Sequence, residues 1–211
     1  MLRLHRRTDR PSRPGPSRRA VRTVSAAAAC LALALSLTAC TGGDEEPEGD
    51  EPTSSDSPSG PPPIKTVARL GKVVGGLDKQ KRAALKTKVA DVVDGWIDAA
   101  YLGDFPRTDF SDAFPGFTKG AAADATVDAG LMSNKRYAAD LEQVVATKRE
   151  VVVDALAVRK HAVAATAHFV LAMRLDGGVH RKERVRGRLF LTYEKGAWRV
   201  FGYDVNRGRG R

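Results

Sequence analysis

Residues 181–205 read RKERVRGRLFLTYEKGAWRVFGYDV and carry the clearest strand pattern of the chain. Apolar and polar residues alternate on both sides of Lys195-Gly196, with the period of two that is typical of β-strands. The dipeptide Lys195-Gly196 suits a two-residue hairpin loop, which would place Tyr193 opposite Trp198. We therefore predict two antiparallel strands, one on each side of this loop.

The preceding residues extend this pattern to a meander of four strands. A second loop, around Gly177-Gly178-Val179, would pair Leu171 with Val185 and Ala167 with Leu189. Both hairpins then direct one apolar set to the same face, and this agreement favours the assignment. The predicted strands are 149–158, 162–175, 181–194 and 197–205. The shared apolar face is Phe169, Leu171, Val185, Leu189, Leu191, Tyr193, Trp198 and Val200.

Helical patterns come before the strands. Asp78 is a suitable N-cap for a helix over 79–102, in which apolar residues recur at spacings of three and four. Residues 119–131 and 135–146 also have helical character, whereas Ile64 to Leu77 has a weak pattern because it contains three glycines. Helices followed by an antiparallel meander predict an α+β domain.

The order of elements resembles the nuclear transport factor 2-like domain, also called the cystatin-like cone. Residues 187–193, 196–200 and 203–205 resemble the closing hairpin of such domains in actinobacterial envelope proteins. The resemblance covers roughly 78–205. It implies an α+β fold with N-terminal helices packed on a curved antiparallel sheet of about four strands. Isomerases, dehydratases, binding modules and scaffolds share this fold, so it does not choose among functions.

Residues 1–39 have the features of an export signal. Eight arginines precede residue 23, and an apolar run of 16 residues follows, which is shorter than the ~20 residues of a spanning helix. Leu37-Thr38-Ala39-Cys40 resembles the lipobox of bacterial lipoproteins. This implies that a diacylglycerol is joined to Cys40, that the chain is cut before it, and that the protein is anchored on the outer face of the cell membrane. A plain secretory signal is the alternative, and the weak twin-arginine pattern at Ser17-Arg18-Arg19 leaves the export route open.

Few chemical groups remain for catalysis or metal binding after this processing. The only other cysteine, Cys30, leaves with the signal, so no disulfide and no cysteine-ligated zinc are expected. His161 and His180 lack ligand spacing, and we expect neither a metal nor a cofactor. Phosphate-binding loops and nucleophile elbows are absent from the sequence.

Charge is distributed unevenly along the chain. Residues 40–63 contain seven acids and no base, which predicts a solvated spacer or, alternatively, an acidic binding motif. Residues 64–211 form the predicted basic domain, with 27 basic and 17 acidic residues, a net charge of +10. Such a domain favours anionic lipids, wall polymers or acidic proteins as partners. On the outer face of a membrane no nucleic acid is expected.

The second face of the predicted sheet is the candidate binding surface. Arg184, Arg186 and Arg188 alternate and therefore point the same way. The predicted register adds Arg199, Phe201 and Tyr203 to this face. It would bind an anionic ligand or partner protein, form a homodimer, or be an ordinary solvated sheet face.

Asp154 and His168 are the candidate catalytic residues. An acid in an apolar pocket would have a raised pKa and could act as a base, as in enzymes of the resembling superfamily. However, a hairpin through Arg159-Lys160 would pair Asp154 with Ala165 and direct the two side chains to opposite faces. We therefore favour a non-catalytic binding or scaffold module of the envelope. The alternatives are an isomerase- or dehydratase-like enzyme and an accessory subunit of an envelope transport or secretion complex.

Overall fold

The computed structural model of the protein describes residues 63–210. The predictions for the signal peptide, Cys40 and the acidic residues up to 62 lie outside this part. Five strands and three helices follow one another within residues 63–210. They are β1 (Val67–Val74), α1 (Lys79–Ala100), α2 (Lys119–Val127), α3 (Ala129–Met132), β2 (Leu141–Val158), β3 (His161–Gly177), β4 (Arg181–Glu194) and β5 (Ala197–Arg209).

All five strands form one sheet in the order β1-β2-β3-β4-β5. The first pair is parallel and the other three are antiparallel. The predicted fold class, helices packed on an antiparallel sheet of about four strands, is therefore wrong. The sheet is mixed, its first strand precedes the helices, and two of the three helices are short, with nine and four residues. The same observations contradict the nuclear transport factor 2-like cone that was expected for 78–205.

The two predicted hairpin registers are confirmed. In the loop between β4 and β5, Lys195 has φ 51° and Gly196 has φ 82°. This is the left-handed backbone that a tight two-residue hairpin turn requires. The confirmed pairs are Leu171–Val185, Ala167–Leu189, Tyr193–Trp198 and Leu191–Val200. Short loops determine these registers because a slip by one residue would expose the whole apolar face.

α1 begins where the sequence predicts. Asp78 is the N-cap, and its carboxylate accepts a hydrogen bond from the Lys81 amide at 2.8 Å. This backbone bond lowers the pKa of the Asp78 carboxyl below its ordinary value. The apolar stripe of α1 faces the sheet, and Trp96 is at its centre, fully buried. Its ring lies edge-on to Phe169 of β3 at 5.1 Å and to Tyr101 at 5.4 Å.

The helix predicted over 135–146 is wrong. β2 begins at Leu141, and turns precede it. The helical spacing of Leu141, Val144 and Val145 is overridden because this segment pairs with the end of β3, where Leu141 lies opposite Gly177. The helix predicted over 119–131 is confirmed in type, but it is divided at Asp128 into α2 and α3.

Irregular pairing controls which side chains share a face. Leu156 lies opposite Ala164 while the next residue, Ala157, lies opposite Ala162, so Val163 is an extra residue in β3. A second shift places Phe190 opposite Gly202 but Leu191 opposite Val200. Each bulge moves the residues beyond it to the opposite face from that given by the loop alone.

A buried arginine joins α1 to the sheet. Arg149 of β2 donates hydrogen bonds to Asp98 at 2.7 Å and to Asp94 at 2.8 Å. Burial acts to lower the pKa of this guanidinium, but the bonds to Asp98 and Asp94 outweigh it and raise the pKa above its ordinary value. Asp94 also accepts a bond from Thr66, just before β1. Arg149 thus holds the helix, the second strand and the entry to the first strand together.

Candidate binding surface

One face of the sheet, the inner face, packs against the helices, and within residues 63–210 no helix covers the opposite, outer face. The outer face has two parts of different chemistry. The apolar half consists of Val74, Val152, Leu156, Phe190 and Phe201. The arginine half consists of Lys182, Arg184, Arg186 and Asn206.

The arginine half is most open at Arg184, where the neighbouring side chains are small. Arg184 lies between Ala172 of β3 and Gly208 of β5, so neither side presents a large side chain. Arg186 lies between Val170 and Asn206 one pair further along. A polar cleft of about 540 Å³ forms beside the two guanidinium groups, and Arg207 and Arg209 also line it. The arrangement offers several N–H donors to an anion.

Ion pairing distinguishes the three alternating arginines. Arg188 pairs with Asp204 on the adjacent strand. Arg184 and Arg186 are exposed, and no acidic group among residues 63–210 pairs with them. The charge available for a ligand therefore lies at two of the three arginines that the sequence indicates.

Of two other residues predicted for this face, Arg199 lies on it but far from the arginine half, and Tyr203 lies on the opposite face. Arg199 is on the outer face, opposite Thr192. Eight positions of β4, roughly 26 Å, separate Thr192 from Arg184, so Arg199 is not part of the arginine half. Tyr203 is on the inner face, opposite Leu189, and its hydroxyl donates to Asp128 at 2.8 Å. The bulge at Phe201 causes this reversal. Burial and the bond to Asp128 raise the pKa of Tyr203 above its ordinary value.

The apolar half presents aromatic area to solvent. Phe201 is 55% exposed, and its ring is 6.4 Å from that of Phe190. Val74, Val152 and Leu156 are 50%, 37% and 45% exposed. A shallow depression of about 260 Å³ is lined by Val74, Leu156, Phe190 and Phe201, and also by the polar residues Lys72 and Asp154. Exposed apolar groups that are rimmed by polar residues are typical of interaction surfaces.

Asp154 and His168 lie on the same face, contrary to the prediction. The bulge at Val163 pairs Asp154 with Thr166 instead of Ala165. The Asp154 carboxylate is then 3.1 Å from His168 Nε2, and its other oxygen accepts from the Lys72 amide of β1 at 2.7 Å. Both side chains are about two-fifths exposed, at 41% and 43%. Asp154 thus accepts a hydrogen bond from a backbone amide of β1 where the pairing of that strand is irregular. Neither Asp154 nor His168 lies in an enclosed pocket.

The inner face also holds an ionic cluster that is not among the predicted sites. Glu183 of β4 is 2% exposed and contacts Arg207 of β5. Arg207 donates to Ser133 carbonyl at 2.6 Å and to Asn134 Oδ1 at 2.7 Å. Arg181 Nε lies 2.9 Å from the other oxygen of Glu183. The signal is present in the sequence, since Glu183 falls in phase with the apolar residues of β4. This cluster attaches the segment after α3 to the sheet.

An apolar groove lies between the start of α1 and the ends of the β2–β3 and β4–β5 hairpins. Its walls include Leu77, Leu85 and Trp198, and its volume is about 320 Å³. Lys81 stands at the rim, but its ammonium group donates to the Lys160 carbonyl at 3.0 Å and approaches Asp78. The ammonium group of Lys81 is therefore already engaged in holding the β2–β3 hairpin to the helix.

Residues 63–210 contain no group of three or more His, Cys, Asp or Glu side chains with the geometry of a metal site. In the same range, no helix combines the length and the apolar character needed to cross a bilayer. Comparison with protein-family models, curated proteins and solved structures finds no match to this chain.

Proposed function

We propose that this protein is a lipid-anchored binding module of the bacterial cell envelope, and that the arginine half of the sheet binds an anionic envelope partner. One observation carries the proposal. Arg184 and Arg186 stand side by side on an exposed face, the small residues Ala172 and Gly208 flank Arg184, and no acid among residues 63–210 neutralises either arginine. A protein that leaves two adjacent arginines unpaired in an open cleft favours an anion from outside the domain.

The anchor and the location are supported by the N-terminal sequence. Leu37-Thr38-Ala39-Cys40 ends a short apolar run that follows a basic segment. Lipid on Cys40 would hold the domain on the outer face of the cell membrane, within reach of wall polymers and of other envelope proteins. The net charge of +10 on 64–211 would then favour the anionic members of that population.

The chemistry of the two halves indicates the kind of partner. A guanidinium group donates two parallel hydrogen bonds to a carboxylate or a phosphate, so Arg184 and Arg186 are suited to bind either anion. The apolar half, with Phe190 and Phe201, adds aromatic contact area. Acidic groups next to apolar side chains match both halves, and an acidic protein segment supplies this combination. We therefore favour a partner protein over a purely ionic polymer.

The enzyme alternative depends on Asp154 and His168, and their contacts do not favour it. The Asp154 carboxylate is engaged by the Lys72 amide and by the imidazole of His168. Both side chains are about two-fifths exposed, so neither lies in the apolar pocket that the enzyme alternative requires. The third alternative, an accessory subunit of an envelope complex, is a particular case of the binding function.

The proposal is tested with the double variant Arg184→Gln/Arg186→Gln. The probes are a fluorescent oligoglutamate and an inorganic polyphosphate, titrated at low and high salt. Each exposed ion pair contributes about 0.5–1 kcal/mol, so loss of two should weaken binding roughly five- to thirty-fold. Salt should weaken binding to the native chain and have less effect on the variant.

A matched control removes the same charge elsewhere. Lys79 and Lys119 are exposed at the first positions of α1 and α2, away from the outer face. The variant Lys79→Gln/Lys119→Gln should bind the probes nearly as well as the native chain. Equal losses in the two double variants would mean that net charge alone attracts the probe, and the proposed site would be wrong.

The apolar half permits one further distinction. If it pairs two copies of the chain, sedimentation of the purified protein will show a dimer, and Phe201→Glu will convert it to a monomer. If it contacts a partner protein, the purified chain will sediment as a monomer with or without this substitution. Phe201 is suitable because it is more than half exposed, so the change does not disturb the core.

A further inference from the structure

We propose that the C-terminal half of β5, residues 203–209, accepts an extended acidic segment of the partner protein as an added strand of the sheet. This inference rests on the proposed anionic partner and adds the way in which that partner is held. When a peptide adds to a sheet edge, main-chain hydrogen bonds join the two chains and the alternating side chains give specificity. The edge and the charges beside it lie within residues 63–210.

β5 is an edge strand of the five-stranded sheet. Near its start, the segment 116–118 already bonds to this edge. The Val200 amide donates to the Gly116 carbonyl at 2.9 Å, and the Thr118 amide donates to the Val200 carbonyl at 2.8 Å. This short bridge ends at Val200, and within residues 63–210 no further strand pairs with the edge along 203–209, a length of about 23 Å.

The hydrogen-bond pattern of β4 and β5 shows which backbone groups point to this edge. The Gly210 amide donates to the Lys182 carbonyl at 3.0 Å, and in an antiparallel pair the bonded positions recur at every second residue. Gly208, opposite Arg184, is therefore bonded to β4. The residues between the bonded positions direct their amide and carbonyl groups away from β4, and in the described part of the chain no loop or helix backbone bonds to them. We call these groups the open edge, and they belong to Val205, Arg207 and Arg209.

Basic side chains flank the open edge on the outer face. Gly208 lies between the edge and Arg184, and a Cβ at Gly208 would meet no atom within 4 Å. A carboxylate on an added strand therefore has a clear path across Gly208 toward the arginine half. Arg209 is exposed at the end of the edge and lines the same cleft as Arg184 and Arg186.

A second basic cleft lies on the other side of the open edge. Its volume is about 230 Å³, and three arginines, Arg136, Arg181 and Arg207, surround the ring of Tyr137 there. Arg181 and Arg207 share one carboxylate, that of Glu183, so one positive charge remains in excess. Arg136 is exposed and has no ion pair with an acid among residues 63–210. The two clefts share lining residues at the open edge, so both sides of this edge are basic.

Charge selects the occupant of the edge. Side chains of an added strand alternate between the two faces of the sheet, so a segment with consecutive acids places carboxylates beside both clefts. A second copy of β5 would instead bring the same arginines to the edge, and like charges opposite each other destabilise a strand pair. An acidic partner segment therefore fits this edge better than a second copy of the chain.

Amide exchange, measured residue by residue with NMR on the full chain in a nonionic detergent, tests strand addition directly. The ligand is the oligoglutamate probe at saturating concentration. We expect exchange at Val205, Arg207 and Arg209 to slow at least five-fold, because their amides would donate to the added strand. Asn206 and Gly208 are the matched controls. Their exchange should stay the same, because these amides already donate to β4.

A pair of substitutions at one residue separates the backbone contact from the charge. Arg209→Pro removes an amide that points to the open edge, a position at which an edge strand tolerates proline. Arg209→Gln removes the same charge but keeps the amide. Arg209→Pro should bind the probe two- to ten-fold more weakly than Arg209→Gln, because one hydrogen bond is lost.

A modified probe gives the same test without changing the protein. An oligoglutamate with every peptide nitrogen methylated keeps its carboxylates but has no N–H groups to donate to the β5 carbonyls. It should bind the native chain at least ten-fold more weakly than the ordinary probe. Binding through charge alone would give the two probes equal affinity.

The outcomes separate strand addition from the proposed function. Unchanged exchange at Val205, Arg207 and Arg209, or equal affinity for the two probes, would overturn strand addition, while the arginine half would remain a binding site. Slow exchange at these amides in the chain alone, with a dimer in sedimentation, would also overturn it, because a second copy would then occupy the edge. A probe insensitive to Arg184→Gln/Arg186→Gln would instead remove the proposed function itself.

Discussion

Replacing Glu183 with Gln should destabilise the domain strongly, because this carboxylate is the buried counter-ion of Arg207 and Arg181. Glu183 is 2% exposed and the Arg207 side chain is 7% exposed. The substitution keeps the size and shape of the side chain but removes its charge. Arg207 cannot leave the interior, since Ser133 and Asn134 also accept its hydrogen bonds.

The magnitude follows from the burial of the pair. Removal of one partner from a buried ion pair typically costs about 3–5 kcal/mol, because the remaining charge is left uncompensated. For a domain of this size, 1 kcal/mol corresponds to roughly 3–4 °C in Tm. Glu183→Gln should therefore lower Tm by roughly 9–20 °C. The control is Glu142→Gln, at an exposed position of β2, and this substitution should change Tm by no more than about 2 °C.

Thermal and urea unfolding followed by circular dichroism and by Trp fluorescence measures both changes. A double-mutant cycle with Arg207→Gln then isolates the coupling between the two residues. The double variant should be more stable than the sum of the single losses predicts, by about 1–3 kcal/mol. A loss below about 1 kcal/mol for Glu183→Gln, or additivity of the two substitutions, would refute the assignment of this cluster as a stabilising buried network.

Three further predictions concern the anchor and the sheet. Cys40→Ser should release the protein from the membrane fraction, and unchanged retention on immunoblots of fractionated cells would contradict lipid anchoring at this position. Gly187→Ala should cost about 1–3 kcal/mol in unfolding free energy measured with urea, because the added methyl would overlap the Asp204 carbonyl oxygen. Asp154→Ala should speed amide exchange at Lys72 by removing its acceptor, while exchange in the centre of the sheet should stay slow; unchanged exchange at Lys72 would refute this role.

The parts of the fold that the sequence predicts well are local. The two hairpins have short loops between strands of clear period-two pattern, and the pairs Leu171–Val185 and Leu191–Val200 follow from the loops alone. The N-cap of α1 at Asp78 is likewise a property of a few consecutive residues. The predictions for Arg184 and Arg186 are correct in face for the same reason, since alternation along one strand determines it.

The failures in the candidate site come from single extra residues. Val163 adds one residue to β3, which brings His168 to the same face as Asp154. Phe201 does the same in β5 and turns Tyr203 toward Asp128. A bulge exchanges the two faces of everything beyond it, and the alternation of small residues around Val163 gives no sequence signal for its position.

Local sequence patterns are sufficient for the α1 helix, the two C-terminal hairpins and the apolar face that these hairpins share, because each depends on neighbours within a few residues or on one short loop. That residues 67–74 form a parallel edge strand depends on tertiary structure, because the strand pairs with β2, which is distant in sequence. The hydrogen bond from Lys72 to Asp154, for example, joins residues 82 positions apart. Tertiary structure also decides which arginines remain without a counter-ion, because Arg188, Arg207 and Arg149 find their acids on other elements. Pairing of distant segments and of buried charges depends on the assembled core, which no local pattern encodes.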